Sequence, residues 1–187
     1  MHRSGHAVAA RGRRLRLRSR RTLTGVLRYA VGDATLPEGD GPKVIVHVCN
    51  DVGGWGAGFV LALSRRWPEP QQHFEDWYAR RAAAVDPPFA LGQVQFVAVG
   101  DDLWVANLIG QRDIVARDGV PPVRYDAIEE GLRRVAAFAA EHDATVHMPR
   151  IGAGLAGGDW AKIEAVITRA LAHASVTVYD LPAKASR

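Results

Sequence analysis

The sequence predicts a three-layer α/β/α fold around a mixed, mostly parallel sheet of about six strands. Three observations carry that expectation. Short β-like runs alternate with helical ones from about residue 25 onward. Most of the β-like runs are continuous Val/Ile/Leu stretches, the pattern of strands covered on both faces. The helical runs are apolar on one side only, as helices that lie on a sheet must be.

The strands are expected at 26–31, 44–49, 94–99, 103–109, 145–148 and 176–179. Only Gly100-Asp101-Asp102 separates the third from the fourth. That connection is too short for a crossover, so those two must pair antiparallel, which excludes a purely parallel sheet. Helices are expected at 57–66, 70–83, 125–142 and 160–172. The third presents Ile128, Leu132, Val135 and Ala139 on one stripe, and the fourth Ile163, Val166, Ile167, Ala170 and Leu171. Residues 37–42 and 113–122 read as polar loops containing glycine and proline.

At 187 residues and 48% hydrophobic composition, the chain can bury one core and still leave room for a ligand cleft. The formal net charge is +4, but Arg3, Arg11, Arg13, Arg14, Arg16, Arg18, Arg20 and Arg21 all precede residue 22, where no acid occurs. Without those eight arginines the remainder carries a formal charge of −4. The basic character therefore belongs to a tail, and charge gives no reason to read the body as a nucleic-acid binder. The expected organisation is an Arg-rich disordered extension over 1–22, a folded domain over 23–182 and a short tail over 183–187. The extension lacks the apolar run of a secretory signal; the readings it leaves are an inert disordered leader, an upstream start codon, or a loose, salt-sensitive contact with phosphate backbones. Cys49 is the single cysteine, so no disulfide framework or cysteine zinc site is possible, and a reducing cytoplasm is expected. No stretch has the apolar length of a membrane span.

Two glycine-rich segments carry the chemistry. Asn50-Asp51-Val52-Gly53-Gly54-Trp55-Gly56-Ala57-Gly58 follows a buried strand and runs into a helix. Ile151-Gly152-Ala153-Gly154-Leu155-Ala156-Gly157-Gly158 does the same, ahead of a helix for which Asp159 is the expected cap. Glycines let backbone approach a ligand closely, and a helix N-terminus supplies unpaired N–H groups, so each segment outlines a site for phosphate. One such loop is a weak signal; two in equivalent strand-to-helix positions point to a diphosphate. Neither is a P-loop, because no Lys-Ser or Lys-Thr follows the glycines. Gly152, Gly154 and Gly157 spell G-x-G-x-x-G with Asp180 one strand later, but only one strand follows this unit, too few to build a dinucleotide-binding sheet outward.

With these segments in place the sequence resembles the macrodomains, in particular the branch that includes the terminal ADP-ribose protein glycohydrolase and its bacterial relatives. The resemblance runs from about Val26 to Leu181. It rests on Val31-Gly32-Asp33-Ala34-Thr35, His47-Val48-Cys49-Asn50 before Gly56-Ala57-Gly58, Asn107-Leu108-Ile109-Gly110-Gln111, Pro122-Val123-Arg124-Tyr125, and Met148-Pro149-Arg150-Ile151-Gly152-Ala153-Gly154-Leu155. It implies an α/β/α macrodomain that binds ADP-ribose. Asp33 and Ala34 would sit at the adenine, Asn50 at the distal ribose, and Gly56, Ala57, Gly58 and Phe59 on the first diphosphate loop. Ile151, Gly152, Ala153, Gly154, Leu155, Ala156 and Gly157 would form the second. Trp55 would cover the pyrophosphate or distal ribose, and Gln111 and Tyr125 would border that ribose.

The chain departs from the best-known hydrolase of this branch at two places. Its lysine nucleophile falls on Gln111 and its acid–base aspartate on Ala156; an amide cannot form a Schiff base and a methyl group cannot move protons. The expected chemistry is therefore attack by water assisted by the substrate itself, with Asn50 and Asp51 as candidate catalytic residues, on ADP-ribose esterified to a protein. The alternatives are a non-catalytic reader of ADP-ribose or a related nucleotide, and a nucleic-acid-associated module acting through the arginine tail. The seven histidines show no metal-ligand spacing, His47 reads as a core residue, and neither metal nor cofactor is expected. The expected partner is ADP-ribose or an ADP-ribosylated protein, met by a monomer.

Overall fold

A computed structural model describes residues 25–182 of the chain; the arginine-rich extension and the residues after 182 lie outside the described part. The elements in order are β1 (Val26–Val31), β2 (Lys43–Asn50), α1 (Phe59–Arg66), α2 (Glu69–Ala79), β3 (Val94–Gly100), β4 (Leu103–Gln111), α3 (Tyr125–His142), β5 (Thr145–Pro149), α4 (Trp160–Ala170) and β6 (Ser175–Asp180). The six strands form one sheet in the order β1-β6-β5-β2-β4-β3. Only the β3–β4 pair is antiparallel, as the short connection requires; Gly100 joins β3, so the turn is Asp101-Asp102 alone.

Alternation along β2 separates the two layers. Val44 and Val46 face the main core, with Ile128, Leu132 and Val135 of α3 and Ile163, Val166 and Ile167 of α4. Ile45 and Cys49 face the other side, where Leu63 of α1 and Phe74 and Trp77 of α2 cover them. The stripe on α3 recurs at helical spacing because only that face meets the sheet; removing one fully buried residue such as Leu132 costs about 2–5 kcal/mol.

Three helix ends differ from expectation by two residues or more; one is α4, which stops at Ala170 and not 172. α1 starts at Phe59, not residue 57, because Gly58 has φ 80°, which ends the loop in a left-handed conformation. α2 stops at Ala79, short of 83: residues 80–84 are exposed and have no apolar face to bury, so propensity alone does not hold them helical.

The winding direction reverses at β2. From there the chain crosses to the edge strand β3, returns through β4 beside β2, and then α3 carries it to β5 on the other flank. The loops that leave the carboxyl ends of β2 and β5 diverge and open a crevice, the position at which open α/β sheets hold ligands.

Candidate functional site

The crevice is a cleft of about 530 Å³, within the roughly 300–1,000 Å³ usual for small-molecule sites. Its floor is the end of β2, with His47, Val48, Cys49 and Asn50. One wall is the first glycine loop and the start of α1, through Gly54, Gly56, Ala57, Gly58, Phe59 and Val60. The facing wall is the end of β5 and the second glycine loop, through Arg150, Ile151, Gly152, Gly154 and Leu155, while Gln111 and Ile114 close the β4 end.

Five of the lining residues, Gly54, Gly56, Gly58, Gly152 and Gly154, are glycines, so bare backbone faces the cleft on both walls. α1 has neither a side-chain cap nor an acidic residue in its first turn, so its leading N–H groups and positive dipole end are uncompensated. α4, by contrast, is closed by Asp159, whose carboxylate accepts from the Ala161 N–H at 2.9 Å. A Cβ placed at Gly56 or Gly154 would meet no protein atom within 4 Å; both positions open onto free space. Gly152 and Gly157 each have φ 69°, which fixes the tight path of the second loop. That loop is braced from below: the Tyr125 hydroxyl accepts from the Asp159 N–H, and the Ala156 carbonyl accepts from the Val123 N–H at 3.1 Å.

The titratable groups at the floor are held neutral. Burial pushes His47 down to about 4, and the same cause raises the Cys49 thiol well above its ordinary value. The Asn107 amide donates to the Pro70 carbonyl and to Gln95 Oε1, which leaves its oxygen to accept from His47 Nε2 at 2.6 Å. The imidazole is therefore the Nε2–H tautomer. Among the described residues that line the cleft, Arg150 is the one cation. Its guanidinium lies 5.3 Å and 5.0 Å from the rings of Tyr29 and Trp160 and pairs twofold with Asp180, whose bonds to it also hold the Asp180 carboxyl below its usual range.

Several expected site residues are spent on the protein itself. Asn50 is buried, and its amide braces its own loop: Oδ1 accepts from the Gly54 and Val52 N–H groups, and Nδ2 donates to the Gly54 carbonyl at 2.7 Å. One Nδ2 hydrogen takes part in none of these bonds. Asp51 does not line the cleft; its Oδ1 accepts from the Asp113 N–H at 2.7 Å, and Arg112 lies 3.8 Å from Oδ2. Gln111 reaches the same residue from the other side, donating to the Asp113 carbonyl at 3.0 Å.

Trp55 turns away from the cleft, because its ring has a place between His47 and Phe74 and its N–H donates to Ser64 at 2.8 Å. Tyr125 is likewise a brace for the second loop, packed on the main core, and does not line the cleft. Asp33 lies beyond the cleft, at the end of β1, and one carboxylate oxygen accepts from both the backbone and the hydroxyl of Thr35 at 2.9 Å. Ala34 beside it is buried. Ala153, Ala156 and Gly157 shape the second loop without lining the cavity. Eight residues of the cleft were given no site role by the sequence: His47, Val48, Cys49, Gly54, Val60, Ile114, Pro149 and Arg150. The signal for Ile114 was an aliphatic pair, Ile114-Val115, inside a loop that is otherwise polar.

A second hollow, of about 370 Å³, lies between Leu36, Pro37, Gly41 and Trp67; neither of the two glycine segments that follow β2 and β5 lines it. Among the described residues no group of three His, Cys, Asp or Glu could hold a metal ion, and no helix is long and apolar enough to cross a membrane.

No family model matches the sequence. Solved structures do. A protein of unknown function from Bacteroides thetaiotaomicron is 50% identical, with a TM-score of 0.79 over 84% of this chain and 99% of that one. A macrodomain protein from Streptomyces coelicolor is 51% identical, with a TM-score of 0.72 over 83% of this chain and 99% of that one. The macrodomain of Mycobacterium tuberculosis DarG is 25% identical, with a TM-score of 0.66 over 83% and 97% of the two chains. Among curated proteins, a chromodomain-helicase-DNA-binding protein 1-like from Danio rerio is 32% identical over 78% of this chain, which spans only 14% of that protein's length. An ADP-ribose 1''-phosphate phosphatase from Meyerozyma guilliermondii is 22% identical over 76% of this chain and 93% of its own.

Proposed function

The chain belongs to the macrodomain family, and on that premise we propose that its cleft binds ADP-ribose and releases it from modified proteins. The observation that carries this reading is the pair of glycine loops facing each other across the ends of β2 and β5, with open space at Gly56 and Gly154 and an uncapped helix N-terminus between them. A diphosphate fits that place because it needs many weakly competing donors at once, and main-chain N–H groups supply them without a counter-charge that would have to be desolvated.

The strand order supports one direction for the ligand. Asp33 follows β1 at one edge, the second glycine loop follows β5, the first follows β2, and Gln111 and Ile114 follow β4. With the adenine amino group on the free carboxylate oxygen of Asp33, the diphosphate spans the loops and the distal ribose reaches Asn50, Gln111 and Ile114. The remaining Nδ2 hydrogen of Asn50 then points a donor at a ribose hydroxyl.

Hydrolysis in this site runs without an enzyme acid. Water attacks the anomeric carbon and its proton passes to a diphosphate oxygen, while the electron pair of the breaking carbon–oxygen bond leaves on the acceptor's carboxylate. A leaving group with a pKa of about 4 needs no protonation by the protein, which is why an ester suits a cleft where Gln111 and Ala156 replace a lysine and an aspartate. Asp51 acts in this scheme by holding the 112–123 loop, as its bond to Asp113 indicates. The lack of an ionised carboxylate or a lysine among the described lining residues favours a second reading, a non-catalytic ADP-ribose reader.

Two measurements decide between them. Calorimetry with ADP-ribose tests the binding, and incubation of a protein ester-linked to ADP-ribose tests the chemistry. Release of free ADP-ribose at a rate proportional to protein is expected; binding with no release over hours would leave the reader, and no binding would overturn both.

A further inference from the structure

We infer that segment 112–123, together with Leu155, is the seat of the polypeptide that carries the ADP-ribose, a surface that recognises aliphatic side chains and not a phosphate backbone. The inference rests on the proposed orientation of the nucleotide, which brings the bond to the acceptor out of the cleft at the β4 end.

The described residues have eleven large apolar side chains that are exposed, and five of them stand on the loops around this mouth: Val52, Ile114, Val115, Val120 and Leu155. Single exposed aliphatics are ordinary, but a concentration at the rim of a ligand cleft marks a contact surface. Ile114 and Leu155 flank the first glycine loop: an added Cβ at Gly54 would meet Ile114 Cγ2 at 3.3 Å, and one at Gly58 would meet Leu155 Cδ1 at 3.3 Å. Val115 and Val120 continue the apolar surface outward, each more than half exposed.

The segment is built to hold this shape. Its base is closed by the Arg112 N–H on the Pro122 carbonyl at 2.8 Å, and its tip by reciprocal bonds between Arg117 and Val120. Asp51 and Gln111 grip the Asp113 peptide from both sides, and Pro121 lies against Gly157 of the second loop. Its own charges balance, Arg112 and Arg117 against Asp113 and Asp118; Arg112 sits near Asp51, Arg117 pairs with Asp113, and the guanidinium of the adjoining Arg124 is occupied by the carbonyls of Pro121, Pro122 and Val123. A nucleic-acid acceptor would need uncompensated cations here to displace its counter-ions; a polypeptide needs apolar area, and that is what the rim presents.

The test compares affinities for free ADP-ribose and for a peptide with aliphatic neighbours that carries ADP-ribose through an amide, which resists cleavage. The wild type should bind the peptide at least tenfold more tightly. Val115→Asp combined with Val120→Asp should erase that preference while leaving the Kd for free ADP-ribose unchanged, which also shows that the variant is folded; Val115→Asn with Val120→Asn should weaken it in the same direction. Equal affinities in the wild type, a preference that survives both variants, or an oligonucleotide carrying the same group bound as tightly as the peptide would each overturn the inference. Failure of the wild type to bind free ADP-ribose would instead overturn the nucleotide reading beneath it.

Discussion

The carboxylate of Asp51 accepts the backbone N–H of Asp113 at 2.7 Å, across the gap between the first glycine loop and the loop that follows β4. Asp113 has φ 64°, a left-handed conformation that costs a non-glycine residue energy, and its peptide is held on both sides, by Asp51 and by Gln111. An acceptor is therefore required at residue 51, whereas a negative charge is not. Asp51→Asn keeps an oxygen for the amide and should retain most activity, while Asp51→Ala should raise KM for a protein-linked substrate several-fold. Equal loss in both variants, seen in kcat and not in KM, would make Asp51 a catalytic group.

At Gly154 an added side chain meets no protein atom, so Gly154→Glu should leave the melting temperature within a few degrees of the parent and yet abolish ADP-ribose binding by placing a carboxylate against the diphosphate. Calorimetry and a melting curve on the same sample check both halves. Unchanged affinity would remove the second loop from the site.

Acid should unfold this protein through its buried imidazoles. His47 and His147 both titrate at about 4, because burial disfavours the charged ring, whereas the unfolded chain holds them near 6.5. The native state then binds fewer protons than the unfolded one. The stabilisation is complete above about pH 6.5 and is lost progressively as pH falls toward 4, on the order of 3 kcal/mol for each ring. Urea midpoints at pH 7.5, 6 and 5 should fall in that order, and His147→Gln should flatten the dependence; a flat profile in the parent would contradict it.

Asn107 is fully buried and bonds to His47, Pro70 and Gln95 at once. Asn107→Leu leaves the His47 N–H and the Pro70 carbonyl without a partner and should cost about 2–5 kcal/mol, read by denaturant unfolding. His47 would be released to take either tautomer, and its ring nitrogens should shift in the NMR spectrum.

Much of the fold was legible from periodicity, since Ile128, Leu132, Val135 and Ala139 on α3 and the unbroken apolar run of β2 can be satisfied only by a helix on a doubly covered sheet. The antiparallel pair followed from the length of one turn. The glycine loops were legible as well, because backbone permissiveness is written in residue type. Residues whose role depends on a distant partner were not. Nothing local says that Trp55 will find Ser64 and turn inward, that Tyr125 will hold Asp159, or that Asp51 will be drawn to Asp113, because each pairing spans an element and is settled by tertiary packing. Arg150 stood inside a motif without a role and gained its place through Asp180 on another strand.

The helix that opens onto the cleft begins with no side-chain cap and no acidic residue in its first turn. A grip made from peptide groups survives almost any exchange of neighbouring side chains, since it depends on the course of the chain and not on the letters along it. Lineages sharing this scaffold are thereby free to lose or regain a reactive group while still holding the same nucleotide, and an eraser and a reader can be a few substitutions apart.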